Sequence, residues 1–350
     1  ASDFSAYGSY TYDDMPPGQK DPALQQFSMA AREPDLLPVL KEILALVPDL
    51  KIMATPWSPP AWMKSNDNLA GGSLKPEYYA VYAQYFVRYL QAMQAEGIRI
   101  DAISPQNEPL HSAAAYPCLS MSAEEQKVFV RDHLGPALQA AGLGTRIILY
   151  DHNCDRPDYP IQILDDPAAK AFADGSAFHL YGGDISAMSQ VHAAHPDKNL
   201  YFTEQSGGAW APDYGGNLRW YARNMMIGAP RNWSRNVLFW NLALDSRYGP
   251  TNKGCSDCRG VITLEGSQIT RNEEYYALAQ ASRFVRPGSL RISSEGGSNS
   301  LIHVAFLTPE GKKVLLVLND AETEQVFSIQ TGNKYLSTRL PGGSWATYVW

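Results

Sequence analysis

Short apolar runs alternate with longer amphipathic stretches along residues 1–283 of the chain. The runs lack polar alternation, which is typical of strands buried on both faces of a parallel sheet. The stretches between them repeat apolar residues with helical spacing, so the pattern predicts successive strand–helix units. Strands are predicted at residues 50–55, 98–103, 146–150, 177–181, 200–204 and 236–241. Helices are predicted at residues 36–46, 82–93, 122–134, 168–173, 185–193 and 216–227.

The pattern changes after residue 284, where short strands follow one another with turn signals such as Pro309-Glu310-Gly311 between them. Strands are predicted here at residues 290–294, 301–306, 313–318, 325–329 and 344–349. We therefore expect an α/β domain at residues 1–283 and an all-β domain at residues 284–350. The second domain offers no ordered set of acid, base and nucleophile, and a structural sandwich or a sugar-binding module both fit it.

Composition and charge limit the kinds of partner that the protein is expected to bind. The 350 residues are 45% hydrophobic, which is enough for a large core, and no apolar run approaches the ~20 residues that a membrane-spanning helix needs. A formal charge of −7 disfavours nucleic acid as a partner, because a phosphate backbone requires basic surface. The chain holds 20 Tyr, 8 Trp and 11 Phe. Aromatic side chains stack on sugar rings, although most of them serve ordinary cores.

The four cysteines favour a structural disulfide over a metal site. Cys118 and Cys154 stand alone, whereas Cys255 and Cys258 form a C-x-x-C loop between glycines. A zinc site would need a second ligand pair at suitable spacing, and the sequence offers none. A disulfide in this loop would imply an oxidising compartment, while free thiols remain the alternative. We expect neither a metal nor a cofactor.

Two glutamates at the ends of predicted strands are the candidate chemistry. Glu108 lies in Gln106-Asn107-Glu108-Pro109, and Glu204 follows Thr203. The ends of parallel strands in a barrel bring distant residues into one cleft, and a retaining glycosidase needs two carboxyl groups flanking one bond. Asn and Pro are also turn formers, so a simple turn is the alternative for residues 107–109. Other strand ends carry Trp57, His179, Tyr181 and Trp240.

Taken in order, six segments resemble the successive signatures of glycoside hydrolase family 30, of the glucosylceramidase and endo-β-1,6-glucanase type. They are residues 1–5, 54–64, 106–109, 178–181, 203–204 and 240–244. The resemblance covers almost the whole chain. It implies a (β/α)8 TIM barrel with a C-terminal β-sandwich and retaining cleavage of β-linked sugars. It also implies that Glu108 is the acid/base and Glu204 the nucleophile.

The same resemblance assigns substrate contacts. Asp3 and Trp57 would bind the outer hydroxyls, Asn107 the 2-hydroxyl, and Trp240 would form the floor of the sugar pocket. Tyr181 would hold the nucleophile, and His179 completes the predicted substrate-binding set. Each has an ordinary alternative from the residues alone: core packing for the two tryptophans, a buried phenol for Tyr181 and a turn for Asp3.

The substrate is expected to be a β-glucan or β-glucoside. Asp3 and Trp57 match glucose-binding residues of the family, while the Cys-Arg-Gly segment at residues 258–260 is similar to endo-β-1,6-glucanases. An endo-β-1,6-glucanase or related β-glucosidase is therefore our first hypothesis. Glucosylceramidase, with a glycolipid substrate, is the second, and β-xylosidase or β-fucosidase follow. From another functional class, a catalytically inactive carbohydrate-binding protein is the remaining alternative.

The family pattern also makes an expectation about the N-terminus. It places residues 1–5 just after the second barrel strand, so this sequence would contain strands three to eight. We expect an upstream segment with two strands, a helix and the first part of the sandwich, either cut from the sequence or retained as a separately bound N-terminal fragment. A secretion signal would lie in that segment, and we expect a secreted, periplasmic or otherwise extracytoplasmic protein.

Overall fold

A computed structural model describes residues 2–29 and 35–350. The chain forms two compact units. The first comprises Ala1–Tyr201 and Pro250–Ser256, and the second Phe202–Gly249 and Asp257–Trp350. Each unit is described by itself below.

The first unit is built on a parallel sheet. Its strands are β1 (Met53–Ala54), β2 (Ala102–Ile103), β3 (Arg146–Cys154), β4 (Ala173–Gly183) and the start of β5 (Asn199–Glu204), adjacent in that order. The pairs β1–β2, β2–β3 and β3–β4 are parallel, as predicted. Strand β1 is shorter than predicted because the Ile52 N–H donates to the Asp101 carboxylate at 3.0 Å instead of joining a strand ladder. Ala102, Ile148 and Ala177 pack together across the sheet.

Most helices of the first unit lie close to their predicted positions, but those at Gly135–Ala140 and Asp158–Leu164 were not predicted. The helices are α1 (Leu36–Leu46), α2 (Tyr79–Ala95), α3 (Ala123–Phe129), α4 (Gly135–Ala140), α5 (Asp158–Leu164), α6 (Pro167–Phe172) and α7 (Ala187–Ala194). A π-helical turn, Val130–Leu134, joins α3 to α4. The predicted capping box at Ser122 is confirmed: its hydroxyl accepts from the Glu125 N–H, and the Glu125 carboxylate accepts from the Ser122 N–H. Within residues 2–29 and 35–350, no helix has both the length and the apolar character to cross a membrane.

The second unit contains the last residues of β5 and the elements that follow. Strand β5 neighbours β7 (Ser234–Val237), and β6 (Gly207–Gly208) pairs with β9 (Cys258–Arg259). A small sheet of β8 (Ala243–Asp245), β10 (Ile262–Glu265) and β11 (Gln268–Arg271) was not predicted, because the strands are short and mostly exposed. The helices are α8 (Tyr214–Tyr221), α9 (Ala229–Arg231) and α10 (Glu273–Ser282), with a π-helical segment at Ala222–Gly228.

Antiparallel strands close the chain, as predicted. The sheet order is β12 (Leu290–Ile292), β13 (Leu301–Leu307), β14 (Lys313–Asn319) and β17 (Trp345–Val349), and β15 (Gln325–Thr331) pairs with β16 (Lys334–Leu340) as a hairpin. Strand β16 was missed because six of its seven residues are exposed or half-exposed, which removes the apolar signal. Val304, Val314, Leu316 and Leu318 form a core with Ile227 of the π-helical segment.

Candidate active site

The backbone of Glu108 adopts an unusual conformation. Its φ angle is 44°, in the left-handed region that costs a non-glycine residue about 1–3 kcal/mol. Neighbouring strand ends hold it there: the Glu108 N–H donates to the Asp151 carbonyl at 2.9 Å, and the Asn107 N–H donates to the Pro56 carbonyl at 2.9 Å. Strained backbone held by its surroundings is common at functional sites. The backbone turns directly after Glu108, where the His111 N–H donates to the Glu108 carbonyl at 2.8 Å.

Histidines surround the Glu108 carboxyl group. His179 Nδ1 lies 3.1 Å from Oε1 and His152 Nε2 lies 4.0 Å from the same oxygen. Burial tends to raise the pKa of Glu108. The hydrogen bond with His179 and the charges of His179, His152 and His111 outweigh that effect, so the pKa of Glu108 lies below its ordinary value. The histidines therefore favour the ionised form of the Glu108 carboxyl group.

Behind His179 runs a buried chain of hydrogen-bonding side chains. His179 Nε2 lies 3.1 Å from Asp151 Oδ1, and the Ser104 hydroxyl donates to Asp151 Oδ2 at 2.6 Å. Thr55 Oγ1 lies 2.5 Å from Ser104 Oγ. His179 and Asp151 are each 1% exposed. Thr55 and Ser104 directly follow β1 and β2, while Asp151 and His179 lie in the C-terminal halves of β3 and β4, so four neighbouring strands contribute to one connected network.

Asp3 is a buried carboxylate with an open acceptor. Its Oδ2 accepts from the Cys255 N–H at 3.2 Å, while Oδ1 has no hydrogen-bond partner within residues 2–29 and 35–350. Gly254 is required at this contact, since a Cβ there would lie 2.1 Å from Asp3 Cβ. Burial raises the pKa of Asp3 to about 6, the Cys255 N–H opposes the rise, and the charge of Glu108 adds to it. An unfilled acceptor of this kind fits the predicted contact with a sugar hydroxyl.

Two predicted aromatic contacts lie at strand ends of the first unit. Trp57 is half-buried, its ring centroid is 5.4 Å from that of Tyr116, and its carbonyl accepts from Gln106 Nε2 at 2.9 Å. Tyr181 is 45% exposed, and its N–H donates to Asn153 Oδ1 at 3.0 Å. The exposed ring argues against the alternative of a buried phenol for Tyr181.

Glu204 and Trp240 belong to the second unit. Glu204 is the last residue of β5 and is 7% exposed. The Phe202 N–H donates to Asn236 Oδ1 at 3.0 Å, and the Trp240 N–H donates to the Gln205 carbonyl at 2.9 Å. These bonds fix the chain on both sides of Glu204 and bring the backbone of Trp240 beside it.

A buried ionic cluster supports the chain that follows Glu204. Arg259 Nη2 donates to Glu274 Oε1 at 2.8 Å and also to Glu273, and the Tyr221 hydroxyl donates to the same Glu274 oxygen at 2.8 Å. Gly207 packs directly on this cluster, because a Cβ there would lie 1.8 Å from Glu274 Oε1. The cluster was not predicted, since its members are far apart in the sequence and lie outside the recognised segments.

The cysteine prediction is confirmed. Cys255 and Cys258 are disulfide-bonded, whereas Cys118 and Cys154 are buried free thiols. The disulfide is in the loop whose Cys255 N–H contacts Asp3. It therefore restrains a backbone donor of the candidate site.

The structure brings some predicted site residues together and adds others. Glu108 and His179 are in direct contact, and the backbones of Trp240 and Gln205 are bonded beside Glu204. His179 was predicted to bind substrate, and it lies between Glu108 and the unpredicted Asp151. A sequence signal for Asp151 existed: it is the first polar residue after the predicted strand at 146–150.

Known proteins share this architecture. Residues 1–285 match the model of the glycosyl hydrolase family 30 TIM-barrel domain, and residues 288–348 match that of the family 30 beta sandwich domain. The chain belongs to glycoside hydrolase family 30. It is accordingly an O-glycosyl hydrolase with a TIM-barrel domain and a C-terminal β-sandwich, and the resemblance read from its six segments is confirmed.

Relatives of this family-30 chain are similar over its full length. The endo-1,6-beta-D-glucanase neg1 of Aspergillus fumigatus is 34% identical over 100% of this chain and 75% of its own length. The lysosomal acid glucosylceramidase of Mus musculus is 28% identical over 97% of this chain and 70% of its own. The solved structure of the endo-beta1,6-glucanase BT3312 superposes with a TM-score of 0.92 at 36% identity, covering 100% of this chain and 80% of that one.

Proposed function

We propose that this glycoside hydrolase cleaves β-1,6-linked glucan by an endo mechanism. The observation that carries the proposal is its full-length similarity to enzymes named for that activity, at 34% and 36% identity, against 28% for the glucosylceramidase of the mouse. The Cys-Arg-Gly segment at residues 258–260 supports it, since this segment is similar to endo-β-1,6-glucanases.

Glu108 and Glu204 are the two carboxyl groups of this proposed mechanism. A retaining hydrolase requires them about 5–5.5 Å apart across the glycosidic bond. Glu204 attacks the anomeric carbon while Glu108 gives a proton to the departing oxygen. Glu108 then takes a proton from the water that hydrolyses the glycosyl-enzyme. Support for Glu108 comes from its strained backbone and its histidine contacts, and support for Glu204 from its place at the end of β5.

Six further residues are proposed to complete the site around the glucosyl unit. Asp3 and Trp57 contact the outer hydroxyls, and the open oxygen of Asp3 is an acceptor for one of them. Asn107 bonds the 2-hydroxyl, where a contact strengthens in the oxocarbenium-like transition state. The remaining roles belong to His179, Tyr181 and Trp240, with Tyr181 holding the nucleophile and Trp240 flooring the sugar pocket.

The location of the protein and the boundary between its two domains are also proposals. The disulfide-bonded Cys255 and Cys258 support an extracytoplasmic protein, because such bonds persist in oxidising compartments. We also place the boundary between the barrel and sandwich domains at residues 283–284, supported by the change from helix α10, which ends at Ser282, to consecutive antiparallel strands.

A substrate panel tests the proposed function. The protein is offered β-1,6-linked glucan, glucosylceramide, and the nitrophenyl β-glycosides of glucose, xylose and fucose in parallel, and product sizes are followed over time. We expect a ladder of short oligosaccharides from the glucan at early times, since an endo enzyme cleaves within the polymer.

Other results would select other functions. Glucose released from glucosylceramide as fast as products form from the glucan would favour the glucosylceramidase hypothesis. Preferred cleavage of the xyloside or fucoside would move the specificity to those sugars. Binding of the glucan without hydrolysis of any compound would support the inactive carbohydrate-binding protein.

A further inference from the structure

We infer that Asp151 is a positioning residue that keeps one proton between Glu108 and His179, and so maintains the acid form of the catalytic pair. The inference rests on the proposed role of Glu108 as the acid/base. It concerns the buried Glu108–His179–Asp151 chain, which continues to the Ser104 hydroxyl.

A distortion of β3 places Asp151 in this chain. The register between β3 and β4 shifts between Tyr150 and His152, which marks a β-bulge. Tyr150 and Asp151 have φ angles of 72° and 62°, both in the left-handed region. Bulges beside active sites re-aim side chains, and two consecutive non-glycine residues in this region are strained. The fold thus retains a strained bulge at the point where Asp151 meets His179.

Asp151 contacts Glu108 by two routes. Its carbonyl accepts the Glu108 N–H at 2.9 Å, and its carboxylate reaches the Glu108 side chain through the His179 ring. Both side-chain steps in the second route are 3.1 Å. One residue therefore fixes both the strained backbone of Glu108 and the orientation of the imidazole against its carboxyl group.

Hydrogen-bond partners determine the tautomer of His179. An ionised aspartate only accepts hydrogen bonds, so Asp151 Oδ1 requires a hydrogen on His179 Nε2. The neutral ring then has a bare Nδ1, and the hydrogen bond between Nδ1 and Glu108 Oε1 must contain the carboxylic proton. Ser104 reinforces this state, because its hydroxyl donates to the other Asp151 oxygen at 2.6 Å.

This sharing resolves a conflict at Glu108. A general acid must hold a proton near neutral pH, yet the histidine contacts bring the pKa of Glu108 below its ordinary value. A proton that leaves the carboxyl group toward His179 stays in the same hydrogen bond, where the negative Asp151 stabilises the imidazolium. Removing that last proton would leave two lone pairs facing each other. The pair therefore resists deprotonation more than Glu108 would alone.

Other charged groups face the pair. His152 and His111 act on the Glu108 carboxyl group and favour its ionised form when they are protonated, while the Asp3 carboxylate acts in the opposite sense. His152 has its own pKa lowered by burial, and the charge of Glu108 opposes that effect. These groups shift the pH at which the pair titrates, whereas Asp151 Oδ1 lies at hydrogen-bond distance from the His179 ring itself.

The proton balance covers one catalytic cycle. In the first step the shared proton passes to the glycosidic oxygen as the bond between that oxygen and the anomeric carbon breaks and the bond to Glu204 forms. In the second step the Glu108 carboxylate takes a proton from water, whose oxygen attacks the anomeric carbon and releases Glu204. The shared proton is thus restored without any additional reactant.

Asp151→Asn tests the inference on the whole protein. Ser104 keeps donating to the amide oxygen, so the amide nitrogen faces His179 Nε2 and forces the hydrogen onto Nδ1. Glu108 is then held as a carboxylate. We expect kcat/KM on β-1,6-glucan to fall roughly 100-fold, below the ~10⁴-fold loss that a wrong histidine tautomer causes in a serine protease. We also expect the alkaline limb of the pH profile to move to lower pH.

A second substrate separates positioning from general damage. The dinitrophenolate of a dinitrophenyl β-glucoside departs without a proton. The kcat/KM of Asp151→Asn on this substrate should therefore stay within a few-fold of the wild-type value. The matched control is Asp174→Asn, at the other end of β4, where the carboxylate accepts from Asn199 Nδ2 at 3.0 Å and from the Tyr201 hydroxyl at 2.5 Å. This variant should leave the alkaline limb of the pH profile unchanged. It should also leave the ratio of the kcat/KM values on the two substrates unchanged.

A double variant tests whether Asp151 acts through His179. His179→Gln should also move the alkaline limb to lower pH, and adding Asp151→Asn should move it no further. An unmoved limb in His179→Gln overturns the inference even if Asp151→Asn does not fold. An equal loss on both substrates in folded Asp151→Asn, with no pH shift, overturns it as well.

The proposed function fails by a different result. If Glu108→Ala loses the same factor in kcat/KM on the glucan and on the dinitrophenyl glucoside, Glu108 is not the acid. The inference about Asp151 then loses its basis as well. If Glu108→Ala shows the expected difference while Asp151→Asn shows neither a pH shift nor a substrate difference, only the inference about Asp151 is wrong.

Discussion

The two candidate catalytic glutamates are held by different kinds of local structure. Glu108 follows the two-residue strand β2, has a left-handed backbone and lies among histidines that lower its pKa. Glu204 ends the six-residue strand β5, and its neighbours Phe202 and Gln205 make regular hydrogen bonds within their own unit. The chain after Glu204 rests on a buried ionic cluster around Arg259.

The difference matches the two proposed tasks. An acid/base must gain and lose a proton in each cycle, so it benefits from partners that titrate with it. A nucleophile must stay ionised and keep its position, which a regular strand and a fixed ionic support provide. The predictions below therefore ask whether the region around Glu108 responds to pH and leaving group, and whether the region around Glu204 responds as a rigid frame.

The largest effect is expected for Glu204→Gln. An amide cannot form the glycosyl-enzyme, so turnover should fall by several orders of magnitude, roughly 10⁵-fold or more, on every substrate and at every pH. Steady-state kinetics with the glucan and an aryl glucoside check this, with circular dichroism to verify the fold. Glu265→Gln, an exposed carboxylate on β10, is the matched control and should keep its activity.

Azide sharpens the assignment of Glu204. In Glu204→Gly the small side chain leaves space for the anion, and azide should partly restore cleavage of an activated glucoside with inverted product. Glu204→Gln should respond poorly because its side chain fills the same space. Wild-type turnover in Glu204→Gln, or a rescued product of retained configuration, would remove Glu204 from the nucleophile role.

Leaving-group dependence gives the next largest effect, at Glu108. Removing a general acid slows the cleavage of substrates with poor leaving groups most. A general acid typically contributes about 10²–10⁴-fold to the rate. Glu108→Ala should therefore lose about 10³-fold in kcat/KM on β-1,6-glucan and less than about tenfold on a dinitrophenyl β-glucoside. Its alkaline limb on the activated substrate should disappear. The same loss on both substrates would contradict the acid/base role.

Sequence predicted the sheet and the strand-end residues because both depend on local pattern. Strands β3 and β4 contain apolar runs of the kind that buried strands require. Glu108 and Glu204 are polar residues that follow or end two other runs of this kind. The ends of β1 and β2 were less predictable, since tertiary hydrogen bonds such as that of the Ile52 N–H with Asp101 decide them.

Asp151 shows why the position of a residue after a predicted strand was not enough to assign the rest of the site. Alternation along β3 does not reveal which way its side chain points, because the bulge at Tyr150 and Asp151 breaks the period of two. The partners of Arg259 are hidden for another reason. Glu273 and Glu274 open helix α10, where acidic residues are ordinary first-turn residues, and only the folded chain brings them to the guanidinium.

A smaller effect, on stability rather than turnover, is expected for Arg259→Met. The change leaves Glu273 and Glu274 buried, at 4% and 1% exposure, without their cation. Breaking a buried ion pair by removing one partner costs about 3–5 kcal/mol of unfolding free energy. Denaturant unfolding at pH 7 measures it. Arg271→Met, at an exposed position on β11, is the control, and an unchanged midpoint for Arg259→Met would show that the cluster does not support this region.

Asp3→Asn should have the smallest effect and the clearest pH signature. The pKa of Asp3 is about 6 in the folded chain, above its ordinary value of 3.8, so the folded state binds more protons between those values. Its contribution to stability therefore falls as pH rises from about 4 to 6, by at most ~3 kcal/mol and less where solvent screens the charge. An amide does not titrate, so the variant should be the more stable protein at pH 7 and equal to the wild type near pH 3.

The same change replaces the acceptor carboxylate, and KM for the glucan should rise about tenfold, the loss of one charged hydrogen bond. Unfolding curves at both pH values and kinetics at pH 7 check the two halves. A variant less stable than the wild type at pH 7 would show that the Asp3 carboxylate is a stabilising group rather than one kept at a cost for the substrate.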